Sequence, residues 1–404
     1  MYRLYCEYCQ ENNITPRNES LYRQIFVEEF NLCFKKPYND TCTTCDKFSL
    51  LLKSVTDENE RAQLESEKLQ HQHLAEFAYE EKKKDRLACK LNPNLVVFSF
   101  GLQKCLPTPY LKSSISFYKR KLWTLNLTIF ETQGTTNSAK CYLWNETIAQ
   151  RGGQEIASCL YTYLNSIPSH INKIIMYSDC CPGQNRNILL SVMLLTVIEH
   201  SKHQGRKIDI YHKFLVPGHT HMEADTIHAA IEKTKNSTTA RIDIPRDWAN
   251  LIRLIPRKPP IFVQEMKQEE FLCFKSLLSG KFQHAKTNTQ GQPVVWSKIR
   301  LIYYSSENLG VMKYKNSFTD DEPYKTLSLL RTRTRNSGTT RLLPISDKPL
   351  GIPANKTQHL KDMLPYVEES SRPYYLQFLI TLTTSQSATD NFIADEEYDQ
   401  DDEM

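Results

Sequence analysis

The spacing of hydrophobic positions changes along the chain. Residues 56–90 are rich in Glu, Lys, Gln, Leu and Ala and contain neither Gly nor Pro, which predicts one long helix that Asn92-Pro93-Asn94 ends. From Leu95 the pattern becomes that of strands, first in the apolar run 95–100 and then at about 116–129 and 140–144.

Helical and strand-like segments then alternate. After Gly152-Gly153 the pattern predicts helices at 154–164, 187–200 and 222–233, separated by strands at 173–177 and 208–216. The resulting order, β-β-β-α-β-α-β-α, predicts an α/β protein with a ribonuclease-H-like core. We predict a mostly helical, Cys-bearing region over 1–92, this core over 93–245, a small α+β accessory region over 246–390 and an acidic disordered tail over 391–404.

Charge is distributed unevenly. The chain carries +5 overall, but its last ten residues hold seven acids and no base, so residues 1–394 carry +12. A body of this charge favours a polyanionic partner, and the tail could compete for the same surface or serve only to keep the protein soluble.

The apolar runs and cysteines indicate the compartment. The longest apolar run, 188–198, has 11 residues, whereas roughly 18 are needed to span a bilayer, so no membrane partner is expected. No apolar segment typical of a secretory signal follows Met1. The twelve cysteines are therefore expected to be metal ligands or buried thiols in a reducing compartment.

Two pairs of cysteines have the spacing of zinc ligands. Two residues separate Cys42 from Cys45, as they do Cys6 from Cys9, which lets both thiolates of a pair reach one tetrahedral Zn²⁺. His71 and His73 on the predicted long helix could supply nitrogen ligands. The prediction is a structural Zn²⁺ site made of Cys42, Cys45, Cys9 and His73, with buried thiols as the alternative.

A stripe of metal-capable residues is predicted on the last core helix. His221, Asp225, His228 and Glu232 follow one another at steps of four, three and four, which places them on one helical face. None of the four is Lys or Arg. A functional stripe is the preferred interpretation, and a solvated polar face is the alternative.

The other candidate acids lie at element ends. Asp179 follows the apolar run of a strand, and Glu155 lies in a first helical turn. A two-metal phosphodiester reaction needs several carboxylates around two cations. Turn capping and the helix dipole would explain the same two acids without chemistry. The predicted catalytic set is Asp179, Asp225, Glu232, Glu155, His221 and His228, with Asp179, Asp225 and Glu232 holding Mg²⁺ or Mn²⁺.

Several short strings between residues 40 and 248 match the sequence pattern of a known protein family. These strings are Asp40, Cys42, Cys45 and Asp46, Leu102-Gln103 with Leu106-Pro107, Phe117-Tyr118-Lys119-Arg120 with Leu122-Trp123, Arg151-Gly152 with Gln154-Glu155-Ile156, Tyr177-Ser178-Asp179, Gly183-Gln184-Asn185-Arg186-Asn187, Gly218-His219, Asp225, Ile231-Glu232 and Pro245-Arg246-Asp247-Trp248. In these strings the chain resembles a family of multicopy animal proteins, abundant in insects, that look transposon-encoded and have a ribonuclease-H-like, transposase-like core. The resemblance implies a nuclear protein that acts on or binds DNA. The family pattern has Asp where this chain has Gly101, which implies a degenerate site. The chain also begins inside what looks like the family's zinc-like region, which implies an upstream segment.

Three functional hypotheses remain open. The chain is a Mg²⁺-dependent transposase or nuclease, or an inactive DNA-binding or protein-interaction module, either of which could be a homo-oligomer. The third, a hydrolase using Cys180 or Cys181, lacks a diagnostic Cys/His spacing. Basic clusters at 118–121 and 331–335 are candidate phosphate contacts or ordinary surface.

Overall fold

The structure is a computed structural model that describes residues 2–30, 41–331 and 342–382. It divides into two compact units, one ending at Lys68 and the other beginning at Leu69. The predicted acidic tail over 391–404 and most of the basic cluster at 331–335 lie outside the described residues.

The first unit is helical. Its helices are α1 (Tyr2–Glu11), α2 (Glu19–Glu28), α3 (Thr43–Ser54) and the beginning of α4 (Glu58–Leu91). The predicted long helix is confirmed as α4, which has 34 residues. Asn18 caps α2 by accepting a hydrogen bond from the backbone N–H of Leu21 at 2.8 Å. Lys68 donates to the hydroxyl of Ser49 at 3.0 Å, so α3 and α4 are in contact.

The second unit is built on one mixed sheet. Its strands are β1 (Leu95–Leu102), β2 (Leu106–Thr108), β3 (Leu122–Gln133), β4 (Thr136–Asn145), β5 (Lys173–Ser178), β6 (Asp209–Phe214), β7 (Phe262–Glu265), β8 (Leu301–Ser305), β9 (Val311–Lys315) and β10 (Lys325–Ser328). Its further α-helices are α5 (Ser114–Phe117), α6 (Gly153–Asn165), α7 (Ile188–His203), α8 (Glu223–Ser237), α9 (Pro245–Arg253), α10 (Phe274–Gly280), α11 (Ala354–Met363) and α12 (Arg372–Leu382). The prediction of an α/β protein is confirmed.

The strand order is β10-β9-β8-β6-β5-β1-β3-β4-β7, with β2 pairing β3. Strands β1, β3 and β4 are antiparallel neighbours, while β5 pairs parallel with both β1 and β6. Strands β7 to β10, from the predicted accessory region, extend the same sheet at its two edges.

Alternate residues of β1 point to opposite faces of the sheet. Val96, Phe98 and Phe100 join the core cluster that contains apolar residues of α6 and α7. Val97 instead packs with Ala75 and Ala78 of α4. By the same alternation, Gly101 faces the side of the sheet that α4 and α8 cover.

One part of the sequence prediction needs correction. The segment from 116 was expected to be a strand, but it begins with the short helix α5, and β3 starts only at Leu122. Alternating apolar and polar residues over so few positions fit a helical turn as well as a strand. Within the described residues, no helix combines the length and the hydropathy that a membrane span requires.

Candidate metal centre and polar edge of the sheet

Four potential metal ligands come together around Cys42 and Cys45. The Sγ atoms of this pair and one ring nitrogen each of His71 and His219 all lie within 4.8 Å of one another. Around a tetrahedral Zn²⁺ with Zn–S bonds of about 2.3 Å, neighbouring ligand atoms are about 3.8 Å apart. This Cys₂His₂ group could therefore bind a metal ion.

Local structure explains the position of the cysteines. Cys42 is the residue before α3, and Cys45 lies in its first turn. The two-residue separation therefore spans less than one helical turn and keeps both thiols on one side. Cys42 is buried at 4% exposure, which shields it from solvent.

The histidines lie on two different elements. His71 follows Lys68 by one turn of α4, and its ring centroid lies 5.1 Å from that of His219. His219 ends a tight turn in which its N–H donates to the carbonyl of Val216 at 2.9 Å. Gly218 has φ of +77°, which this turn needs after Pro217 and which glycine adopts without strain.

The electrostatics of the group suit a cation. Burial lowers the pKa of His71, and His219 and Arg300 lower it further, so the imidazole is held neutral, the form that binds metal. Burial raises the pKa of the Cys45 thiol, and Cys42 adds to the rise. A bound cation would favour both thiolates and reverse this effect.

Two of the four predicted zinc ligands, Cys42 and Cys45, belong to this Cys₂His₂ group, and the other two do not. Instead of Cys9 and His73, the structure brings His71 and His219 to the pair Cys42 and Cys45. His73 is largely exposed and lies 3.7 Å from the carboxylate of Glu76. His71 and His73 are about 200° apart around the helix, so only one of them can face the cysteines. Cys9 is buried within α1.

Asp179 lies where the sequence predicted, directly after β5. In the parallel register Ser99 is level with Tyr177, so Gly101 of β1 is level with Asp179. Oδ1 of Asp179 accepts hydrogen bonds from the N–H of Cys181 at 2.7 Å and from the amide of Asn185 at 2.6 Å. The carboxylate thus shapes the turn that follows the strand.

Asp225 and His228 of α8 form a pair, and His228 lies beside Gly101. Oδ2 of Asp225 accepts from the N–H of Met222 at 2.7 Å, and Oδ1 lies 3.6 Å from Nδ1 of His228. Burial opposes ionisation of Asp225, but the hydrogen bonds from His228 and Met222 outweigh it and lower its pKa. A Cβ atom at Gly101 would lie 4.0 Å from Cε1 of His228. Nε2 of His228 is buried and has no hydrogen-bond partner among the described residues.

The other predicted catalytic residues make different contacts. His221 precedes α8 and is exposed, so it is outside the helical stripe. Glu232 pairs with Lys235. Glu155 is buried and accepts from the N–H of Gly152 at 3.0 Å, and burial raises its pKa. Within the described part of the chain, three or more potential metal ligands come together only in the Cys₂His₂ group.

Glu223 is held by partners that the sequence did not indicate. Its carboxylate lies 2.6 Å from Arg86 and 3.3 Å from Lys82, both on α4, and accepts from the hydroxyl of Ser99 at 3.2 Å. These cations outweigh the effect of burial and lower the pKa of Glu223. The contacts fix the first turn of α8 against α4 and β1.

No family model matches this chain, and neither a curated protein nor a solved structure does.

Proposed function

We propose that this chain is a transposase-like protein that binds DNA through a ribonuclease-H-like core, with a two-metal phosphodiester site that is degenerate at Gly101. One observation carries the proposal: Gly101 of β1 is level with Asp179 at the end of the parallel neighbour β5, and a Cβ atom at Gly101 would lie 4.0 Å from His228, which pairs with Asp225 on the late helix α8. These are the positions at which ribonuclease-H-like folds hold their catalytic acids.

The order of elements supports the proposed fold. If the three-residue strand β2 and the four-residue helix α5 are set aside, β1, β3 and β4 are followed by α6, β5, α7, β6 and α8, which is the order β-β-β-α-β-α-β-α. The first three strands are antiparallel, and the two later strands lie parallel to β1.

The proposed phosphodiester site is degenerate because one metal-binding carboxylate is missing. Asp179 and Asp225 would supply two carboxylates to Mg²⁺ or Mn²⁺, and His228 would orient Asp225. Gly101 supplies only its backbone carbonyl, so both cations lack a shared anchor. Loss of one preorganised charged group typically costs about 10²–10³ in rate.

Plasmid nicking tests the proposed site. Gly101→Asp is expected to nick supercoiled DNA with Mn²⁺ at least about 100-fold faster than the unmodified chain. Gly101→Asn is the matched control, since it has the same shape without the charge. Asp179→Asn in the Gly101→Asp background should abolish the gain. A folded Gly101→Asp protein that does not nick DNA would contradict the proposed phosphodiester site.

DNA binding is measured separately. The +12 body should bind a fluorescent duplex with an affinity that falls steeply as salt rises. If binding is seen but Gly101→Asp gains no nicking, the inactive DNA-binding module becomes the better description. The pairing of Glu232 with Lys235 and the capping role of Glu155 already favour that second candidate. The absence of DNA binding at low salt would reject both.

We also propose that the Cys₂His₂ group holds a structural Zn²⁺. Two thiolates and two imidazoles are the donor set that structural zinc sites use. Metal analysis of the purified protein should find about one zinc per chain, lost in His71→Gln and retained in His73→Gln, which changes the same residue type two positions along the same helix. Cys45→Ser and Cys6→Ser form a second matched pair. Equal zinc content in the two histidine variants would refute the assignment.

A further inference from the structure

Arg186, in the loop between β5 and α7, carries a buried charge with little compensation. Its side chain is 8% exposed. Its guanidinium donates to the carbonyl of Ile299 at 3.4 Å and lies 5.8 Å from the ring centroid of Phe214. A guanidinium has five N–H donors, and burying its charge is costly unless an acid or several acceptors replace water.

A second arginine, Arg300, directly follows Ile299, whose carbonyl accepts the hydrogen bond from Arg186. Arg300, half-buried at the start of β8, donates to Sγ of Cys180 at 3.5 Å. Burial lowers the pKa of Arg186, and the positive charge of Arg300 lowers it further. Among the described residues, neither arginine has a carboxylate oxygen within 4.0 Å.

The groups around the two arginines do not neutralise them. Asp179 is near enough to favour the charge of Arg186, but its Oδ1 already accepts two hydrogen bonds within its own turn. Burial raises the pKa of Cys180, so its thiol is neutral at physiological pH. Two positive charges therefore face one negative charge.

Arg206 shows how this chain satisfies an arginine whose role is structural. Burial lowers the pKa of Arg206 as well. Its guanidinium, however, donates to the carbonyl of Ile171 at 2.6 Å, to that of Pro168 at 3.0 Å and to that of Ile167 at 3.5 Å. In the part of the chain that the structure describes, Arg186 and Arg300 lack such a set of carbonyl acceptors, so several of their N–H donors are available to a ligand.

We propose that Arg186 and Arg300 form a phosphate-binding site beside the turn that begins at Asp179. Two guanidinium forks present four or more donors, which the oxygens of one phosphate can accept as paired hydrogen bonds, whereas a carboxylate has only two oxygens. Arg300 and Asp179 are partly exposed, so a phosphate can enter from their side. The phosphate is either a phosphodiester of DNA, which rests on the proposed function, or a free phosphate, which does not.

Inorganic phosphate is the direct probe of the site. Calorimetric titration at constant ionic strength should show binding to the unmodified chain that is about tenfold weaker in Arg300→Gln, the cost of one charged hydrogen-bonding partner. Arg206→Gln, the matched control, should bind as the unmodified chain does. Arg300→Lys keeps the positive charge but loses the paired N–H donors of the guanidinium. Its phosphate affinity should therefore lie between those of the unmodified chain and Arg300→Gln. Arg300 is chosen because its partial exposure makes loss of folding less of a risk than at Arg186.

A DNA duplex distinguishes the two sources of phosphate. The site takes a DNA phosphodiester if Arg300→Gln weakens the binding of both inorganic phosphate and the duplex. In that case the number of counterions released when the duplex binds, read from the salt dependence of the affinity, should also fall by about one. If it weakens inorganic phosphate alone, the site takes free phosphate. Unchanged phosphate affinity in Arg300→Gln would overturn the proposal, even if the chain binds DNA. A chain that binds phosphate through Arg300 but never binds DNA would reject the proposed function and leave this site standing.

Discussion

Gly101 occupies a buried position at which the backbone does not require glycine. A Cβ atom there would lie 3.6 Å from Cε of Met222 and 4.0 Å from Cε1 of His228, which are ordinary van der Waals distances. Glycine within a strand costs roughly 0.5–1 kcal/mol relative to alanine, and burying one more methyl group contributes roughly 0.8 kcal/mol. Gly101→Ala should therefore raise the free energy of unfolding by about 1.3–1.8 kcal/mol.

Urea unfolding followed by circular dichroism measures this change. Gly310→Ala is the contrasting control, because Gly310 has φ of +71° and its Cβ would lie 2.0 Å from Cγ of Leu330. That variant should be destabilised, since the backbone and the side chain both oppose it. A Gly101→Ala protein less stable than the unmodified chain would show that the space beside His228 does not exist.

Gly101→Asp tests the contact with His228 as well as the space beside Gly101. In Gly101→Asp the new carboxylate can accept a hydrogen bond from Nε2 of His228, which has no partner among the described residues. A hydrogen bond to a charged group contributes about 1.5–3 kcal/mol. In a double-mutant cycle with His228→Gln, the two changes should be coupled by about that amount. Additive effects would mean that the carboxylate does not meet His228.

Two further predictions concern buried polar groups. Burial lowers the pKa of His212 from 6.5 to about 3. Its contribution to the free energy of unfolding should therefore be fully present above pH 6.5. As the pH drops from 6.5 toward 3, the free energy of unfolding should fall by up to about 1.4 kcal/mol per pH unit, because only the unfolded chain binds the proton. In urea titrations across this range His212→Gln should flatten the dependence, while His203→Gln, at an exposed site, should leave it unchanged. Lys356→Met should cost about 3–5 kcal/mol in the same assay, because it removes the positive charge of Nζ, which lies 3.0 Å from the buried Glu146 carboxylate. Adding Glu146→Gln should recover part of that loss, and no recovery would contradict the reasoning.

The order of helices and strands was predictable because it depends on local periodicity. The alternation of β5, α7, β6 and α8 follows from apolar runs that end in polar turns, such as the one at Asp179. The ten-stranded sheet was not predictable in the same way. Strands β7 and β8 join the sheet by pairing with β4 and β6, which are far away in the sequence, and periodicity does not encode such pairings.

The candidate site was only partly predictable for a related reason. The steps between Asp225 and His228 predicted that they share a helical face, and the structure places them side by side. The prediction that His221 shares this helical face was wrong, because α8 begins at Glu223 and leaves His221 before the helix. The start of a helix depends on its cap and its tertiary contacts, here the binding of Glu223 by Lys82 and Arg86. His219 was missed as a candidate metal ligand, because no spacing relates it to His71.

Helix α4 connects the histidine pair, His71 and His219, to the first turn of α8. Helix α4 carries His71, whose ring meets His219, and further along it carries Lys82 and Arg86, which hold Glu223. His219 and Glu223 are the two ends of one short segment that leads into α8. A metal ion bound by His71 and His219 would fix one end of this segment while the ion pairs fix the other. The orientation of the first turn of α8, and with it the position of Asp225, would then depend on the metal. Zinc at this group would thus act on the proposed phosphodiester site by holding α8 in place, without taking part in its chemistry.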